Sequence, residues 1–258
     1  MKIRRPLDDR VTYVGHATVL VELAGTRLLT DPVLRTRLLF VIRRFSPAPD
    51  PGVSTDLDAV LISHLHPDHL DFPSLRQVDR DTRVVVPAGA SRLLARRGFW
   101  NVVELEPGET ARVGQVTIRA TPAEHEGRRY KVGRAVQALG YDLEGGGRRL
   151  YFAGDTDLFG GMSDLAGGLD VALLPIAGWG PRLHSGHLDP RRAAEAAAIM
   201  QPRIAVPIHW GTLLRVGLNR TRPELLTDPP REFEAQLAEL APDVKARVLD
   251  PCEALMLN

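Results

Sequence analysis

The chain has 258 residues, room for one large domain or two small ones at about 150 residues per domain. Its 44% hydrophobic and 25% charged residues exclude a disordered, collagen-like or coiled-coil chain. Thirty-three Lys+Arg against 32 Asp+Glu leave a net charge of +1, so no bulk field recruits nucleic acid.

The start, Met1 to Asp9, is charged and lacks the apolar stretch of a secretory signal. No window approaches about 18 consecutive apolar residues, so no transmembrane anchor is expected and the chain reads as cytoplasmic. Strands are predicted at Val11–Val14, Thr18–Leu23 and Arg27–Thr30. Leu34–Phe45 then mixes Leu38, Leu39, Phe40, Val41 and Ile42 with Arg35, Arg37, Arg43 and Arg44. It reads either as a basic amphipathic segment for peripheral membrane contact, with Phe40 and Phe45 as its lipid-facing aromatics, or as a surface element over the core edge. Ser46–Ser54 is a turn-rich loop rather than a domain boundary. Further strands follow at Ala59–Ile62, Val84–Val86, Val102–Leu105, Val116–Thr121, Ala135–Asp142, Leu150–Ala153, Val171–Leu174 and Ile204–Val206. Gly145-Gly146-Gly147 reads as a hairpin turn. Helices are expected at Ala90–Arg97, Pro190–Met200 and Pro223–Leu240, the second capped by Asp189 with proline at its first position. Early antiparallel strands followed by strand–helix units make a single layered α/β domain over residues 1–258.

Histidine or aspartate stands just past several strand ends: His64 after Ile62, His125 after Thr121, Asp155 after Ala153 and His209 after Val206. Layered α/β folds build their sites there. The densest signal is His64-Leu65-His66-Pro67-Asp68-His69, four possible ligands in six residues. Strand alternation lets His64 and His66 point the same way, and the turn brings Asp68 and His69 round. Imidazole and carboxylate suit zinc, iron or manganese, and two adjacent ions explain the density better than one. The single cysteine, Cys252, excludes an internal disulfide and a multi-cysteine metal site, and its apolar surroundings read as packing.

The HxHxDH run after an apolar strand resembles the metallo-β-lactamase superfamily signature. Tyr13–Leu20 (YVGHATVL), Leu29–Val33, Ser46–Pro49, Asn101–Leu105, Thr121–His125, His187–Pro190 and Ile208–Thr212 look like the N-acyl-phosphatidylethanolamine-hydrolysing phospholipase D-like branch, across roughly residues 11 to 215. The resemblance implies an αββα sandwich, two mixed β-sheets flanked by helices. It also implies a centre for two divalent ions, zinc first, with manganese or iron as alternatives. His64, His66 and His125 would hold one ion, Asp68, His69 and His209 the other, with Asp155 between them. The implied activity is hydrolysis by a metal-activated hydroxide, with a phosphodiesterase of phospholipase D-like bond choice as its specific form and a small or lipid-derived molecule as substrate. A lactonase or carboxylic-ester hydrolase, as in the ascorbate-6-phosphate lactonase-like branch, is the alternative. An iron-dependent oxidoreductase and a nuclease rank behind both.

Asp68 and His187 are expected to act on the reacting atoms, His187 by donating a hydrogen bond to an oxyanion or leaving group. Asp58 and Asp31 read either as partners of ligand histidines or as turn aspartates. His16 is either a buried structural histidine or a pocket wall. His184 and Trp179 are candidate pocket residues, and Trp210 packs the metal loop. Glu124 and Glu126 flank His125 as an acidic collar that would disfavour a polyanionic substrate.

Overall fold

Alternation along the first strands sorts their side chains into two layers. In Thr18–Leu23, Val19, Val21 and Leu23 enter one core cluster while Leu20 enters another. Ala59 and Leu61 oppose Val60 and Ile62 in the same way, as Val85 opposes Val84 and Val86. These strands are buried on both faces, which is why they read as continuous apolar runs. The computed structural model describes residues 8–129 and 136–257.

Two seven-stranded sheets form the centre. The first runs Glu253–Met256, Arg10–Gly15, Thr18–Leu23, Thr26–Thr30, Ala59–Leu61, Arg83–Pro87, Val102–Leu105. The second runs Lys245–Ala246, Ile204–Ile208, Val171–Pro175, Arg148–Phe152, Gln137–Gly145, Val116–Glu126, Thr110–Val113. In each, an antiparallel half gives way to a parallel half: Thr26–Thr30 pairs parallel with Ala59–Leu61, and Arg148–Phe152 parallel with Val171–Pro175. One cluster joins the facing sides of both sheets, with Val11, Tyr13 and Val21 against Ile118, Tyr141 and Phe152. Outside the first sheet lie Phe72–Leu75 and Ser91–Ala95, and outside the second lie Pro190–Met200 and Asp228–Leu240. This is the expected αββα sandwich.

Helix Pro190–Met200 starts as predicted, with Asp189 Oδ1 accepting from the Arg192 amide at 2.8 Å and proline at the first turn. Ala193, Ala194, Ala196 and Ala197 bury its inner face and admit close approach to the sheet. The expected helix Pro223–Leu240 is two pieces, a 3-10 turn Pro223–Leu226 and a helix Asp228–Leu240. Pro229 and Pro230 have no N–H to donate backwards, so they fit only the first turn of a helix and the turn before them cannot continue into it. The strand expected at Ala135–Asp142 spans Gln137–Gly145; Ala135 lies outside the described residues, as does the start before Asp8.

Leu34–Phe45 is not one amphipathic segment. Arg37–Leu38 and Ile42–Arg44 form a hairpin, joined by Leu213–Arg215 into a small third sheet. Leu38 and Ile42 are buried with Val33 and Leu213, whereas Phe40 at the tip is fully exposed. Cys252 also departs from expectation. It holds a left-handed turn, φ 76°, before the edge strand Glu253–Met256, and is exposed rather than packed.

Candidate metal centre

The parallel halves of both sheets point their C-terminal ends at one place. Beyond Ala59–Leu61 the chain turns through His64 to His69, where the His66 carbonyl accepts from the His69 and Leu70 amides at 3.0 and 2.9 Å. Arg129 pins this turn by donating to the Leu65 and Leu70 carbonyls. Strand Val116–Glu126 loses its register with its neighbour between Pro122 and Glu126, and that irregularity carries His125. Asp155 follows Arg148–Phe152 through Gly154, whose φ is +61° and whose added Cβ would stand 2.5 Å from Ser63 Cβ. Glycine is required there by the backbone angle and by the close pass of the two sheets. His209 follows Ile204–Ile208.

Two groups of donors face each other. His64 Nε2 and His125 Nε2 lie 2.9 and 3.1 Å from His66 Nδ1. Beside them, His69 Nε2 is 3.6 Å from Asp68 Oδ2 and 3.3 Å from His209 Nε2. Asp155 reaches both sides, with Oδ2 3.1 Å from His69 Nε2 and 3.4 Å from His187 Nε2, and Oδ1 3.2 Å from His209 Nε2.

The far nitrogen of most of these rings is fixed. His69 Nδ1 donates to Asp31 Oδ2 at 2.7 Å, His125 Nδ1 to the Gly186 carbonyl at 2.8 Å, and His209 Nδ1 to the Ala177 carbonyl at 2.6 Å. His64 Nδ1 lies 2.9 Å from Ser63 Oγ, which donates to Asp31 Oδ2 at 2.5 Å. Each such ring turns Nε2 towards the centre, the atom that would meet a cation. Asp31 thus holds His69 directly and His64 through Ser63. Ser63, which the sequence offers only as a local hydrogen-bonding residue, links the Asp31 carboxylate to the His64 ring; its signal is a small hydroxyl residue directly before His64.

His16 is buried, with Nε2 donating to Asp68 Oδ2 at 3.1 Å. Trp179 Nε1 donates to the same oxygen at 3.1 Å, so the indole is a positioning group as well as a wall. Gly15-His16 is locked to the segment after His209. The His16 amide donates to Thr212 Oγ1 at 2.9 Å, and the His209 amide donates to the His16 carbonyl at 2.7 Å. A Cβ on Gly15 would meet Thr212 Oγ1 at 2.7 Å. Trp210 stacks on Tyr13 and packs this joint.

A cavity of 790 Å³ opens over the cluster, floored by His66, Asp68, Asp155 and His209 and bordered by His184 and His187. Its walls include Leu39, Trp179, Leu183 and Leu218, with Arg182, Arg215 and Arg222 around them. The expected acidic collar does not form. Glu124 and Glu126 are exposed and line no part of the cavity, and Glu126 is paired with Arg128. Alternation along the strand turns both away from the side that His125 faces. Asp58 is the other site residue the structure places elsewhere. It accepts from the Arg27 amide at 2.9 Å, at the strand end opposite His64, in a surface cleft with Asp56, Asp79 and Asp81.

Burial and the carboxylates set the protonation of the centre. Burial drives His209 down to about 3 and His66 to about 4, and lowers His64, His16 and His125, so these rings stay neutral and able to coordinate. Burial opposes charge on His69 too, but Asp155, Asp31 and Asp68 outweigh it and hold its pKa well above the ordinary value. Burial would also raise Asp68 and Asp155, yet the surrounding histidines hold both well below the carboxylate range. Neutral His64, His66, His125 and His209 with ionised Asp68 and Asp155 fit divalent cations, and a cation seated beside His69 would displace the proton that the carboxylates hold there. Asp155 Oδ1 is buried with no hydrogen-bond partner, an orphan that such a cation would satisfy.

Comparison with known proteins agrees with this geometry. The sequence profile of the beta-lactamase superfamily domain matches residues 26–210. N-acyl-phosphatidylethanolamine-hydrolyzing phospholipase D 1 of Caenorhabditis elegans is 32% identical over 225 residues, 78% of this chain, and the match spans only 63% of that protein. A UPF0173 metal-dependent hydrolase of Methanopyrus kandleri is 33% identical over 252 residues, 95% of this chain and 98% of its own. A metallo hydrolase of the archaeon Ignicoccus hospitalis superposes with a TM-score of 0.74 at 27% identity, covering 98% of this chain and 99% of its own.

Proposed function

The chain belongs to the beta-lactamase superfamily, as a metal-dependent hydrolase, and on that footing we propose that it is a phosphodiesterase with phospholipase D-like bond choice. The observation that carries the reading is the cavity: two donor groups share its floor, apolar side chains form its walls, and arginines stand at its edge. A phosphodiester with an apolar tail matches all three features. The relative from C. elegans, named for hydrolysing an N-acylated phospholipid, supports the same class.

His64, His66 and His125 would hold one divalent ion, and Asp68, His69 and His209 a second, with Asp155 shared; zinc is the expected metal. Such a pair supplies an activated water at neutral pH and withdraws charge from the substrate oxygen. The chain's own groups do the rest. Asp31 and Ser63 hold the ligand rings in one tautomer. His16 and Trp179 fix the Asp68 carboxylate from two sides. His187, with Nδ1 on the His184 carbonyl and Nε2 facing the centre, donates to the substrate oxygen or leaving group. No helix among the described residues is long and apolar enough to cross a membrane. The lone thiol suits a reducing cytoplasm, where we place the protein.

The test pairs metal analysis of protein purified without chelator with hydrolysis of bis(p-nitrophenyl) phosphate. Two zinc or manganese ions per chain with diester turnover support the reading. Turnover of lactones or carboxylic esters alone transfers the assignment to that class, and a single iron overturns hydrolysis of either kind.

A further inference from the structure

We infer that the hairpin tip Leu39-Phe40-Val41, with Val216 beside it, docks the protein on an anionic lipid surface with the cavity mouth at the bilayer. Among the described residues the exposed large hydrophobics are Leu39, Phe40, Val41, Trp100, Ile199, Val216 and Met256, and four of these seven are neighbours here. The Val216 amide donates to the Val41 carbonyl at 2.8 Å, which makes the cluster continuous. Leu38 and Ile42, buried beneath it, give the tip a fixed base. An apolar cluster held out into water in this way marks an interaction surface.

Charge identifies the partner. The segments Pro32–Pro49 and Trp210–Pro223 contain seven arginines and no Asp or Glu, in a chain whose net charge is only +1. Arg35 is engaged by Asp71, Arg222 by Glu224, and Arg44 is buried. Arg37, Arg43, Arg215 and Arg220 are exposed and form no ion pair among the described residues. Arg37 sits directly opposite Arg43 across the hairpin, a like-charge pairing that costs stability unless an anionic surface meets it. A second copy of the chain would bring the same arginines against these, whereas an anionic bilayer offers acyl chains to the tip and headgroup charge to its flanks. Leu39 and Arg215 belong to the tip region and to the cavity wall alike, so the docked face leads directly to the centre.

The experiment is vesicle flotation of the full chain, with phosphatidylcholine alone and with phosphatidylglycerol added, alongside light scattering. Wild type is expected to float with the anionic vesicles and to be released by salt. Phe40→Asp lowers partitioning at least about tenfold, and Arg37→Gln with Arg43→Gln by about fivefold per charge. Phe40→Asp keeps the wild-type melting temperature, the double arginine variant melts at or above it because the like-charge pair is gone, and both keep turnover of a soluble diester. Binding is read without turnover, so the outcome is separate from which bond the centre breaks. Wild type remaining unbound, or Phe40→Asp floating like wild type, overturns the inference. So does a wild-type dimer that Phe40→Asp dissociates, which would make a second copy the occupant.

Discussion

Asp31 touches no substrate, yet its carboxylate accepts from the Ser63 amide, the Ser63 hydroxyl and the His69 ring. Asp31→Asn replaces one acceptor oxygen by a donor facing donors. It is expected to weaken metal affinity about 10- to 100-fold, read by competition with a chromogenic chelator. Asp68→Asn removes an oxygen that meets His16, Trp179 and His69, and is expected to abolish hydrolysis while the melting temperature holds; full activity would sink the dinuclear reading. Gly154→Ala places a methyl in the 2.5 Å gap to Ser63 Cβ at a left-handed φ, and should cost about 3 kcal/mol in urea unfolding. The same cluster sets a pH dependence for the metal-free protein. His209 at about 3 and His66 at about 4 titrate below the unfolded value of about 6.5, so the unfolded chain binds more protons in that window. Stability therefore falls as pH drops from about 6.5. His69, with its raised pKa, contributes in the opposite sense and loses its contribution as pH rises through its folded value. Five histidines are lowered against the raised His69 and His187, so chelated protein is expected to melt lower at about pH 5 than at about pH 7.

At the scale of elements, strands buried on both faces were the most legible, because a run such as Ala59–Ile62 has apolar residues at every position. Helix Pro190–Met200 was legible through its Asp-Pro start, and His64, Asp155 and His209 lie just past strand ends as expected, whereas His125 lies within the irregular end of strand Val116–Glu126. The third sheet was not legible: Arg37–Leu38 and Ile42–Arg44 are too short to show a period, and their apolar run was split between two buried anchors and an exposed tip. Asp58 misled because an aspartate before a strand looks the same whichever end of the strand holds the site. His16 could not be assigned, since its partner Asp68 is 52 residues away. The joint between the sheets is testable at Tyr141, whose hydroxyl donates to the Ile62 carbonyl at 2.7 Å just before the metal loop. Tyr141→Phe leaves that carbonyl without its donor and is expected to cost about 1–3 kcal/mol in urea unfolding.

At the scale of the whole molecule, each sheet changes from antiparallel to parallel at a strand that leads into an aspartate, Asp31 in one and Asp155 in the other. The carboxyl ends of the parallel strands in both sheets open onto one shared crevice, where layered α/β folds place their sites. Because the shared core beneath holds both sheets together, metal removal is expected to lower the melting temperature without erasing the far-ultraviolet circular dichroism of the strands; loss of that signal on chelation would place the folding energy in the ions instead. The clasp between the Gly15-His16 turn and the His209–Thr212 segment joins residues 196 apart in sequence. While a ribosome is still making the chain, the His64–His69 loop can be complete long before His209 has emerged. The group of Asp68, His69 and His209 therefore cannot close until synthesis has passed Thr212, and an ion that needs all three is taken up late in translation or after it. A product truncated between His125 and His209 would carry His64, His66 and His125 but not the clasp that closes the other group.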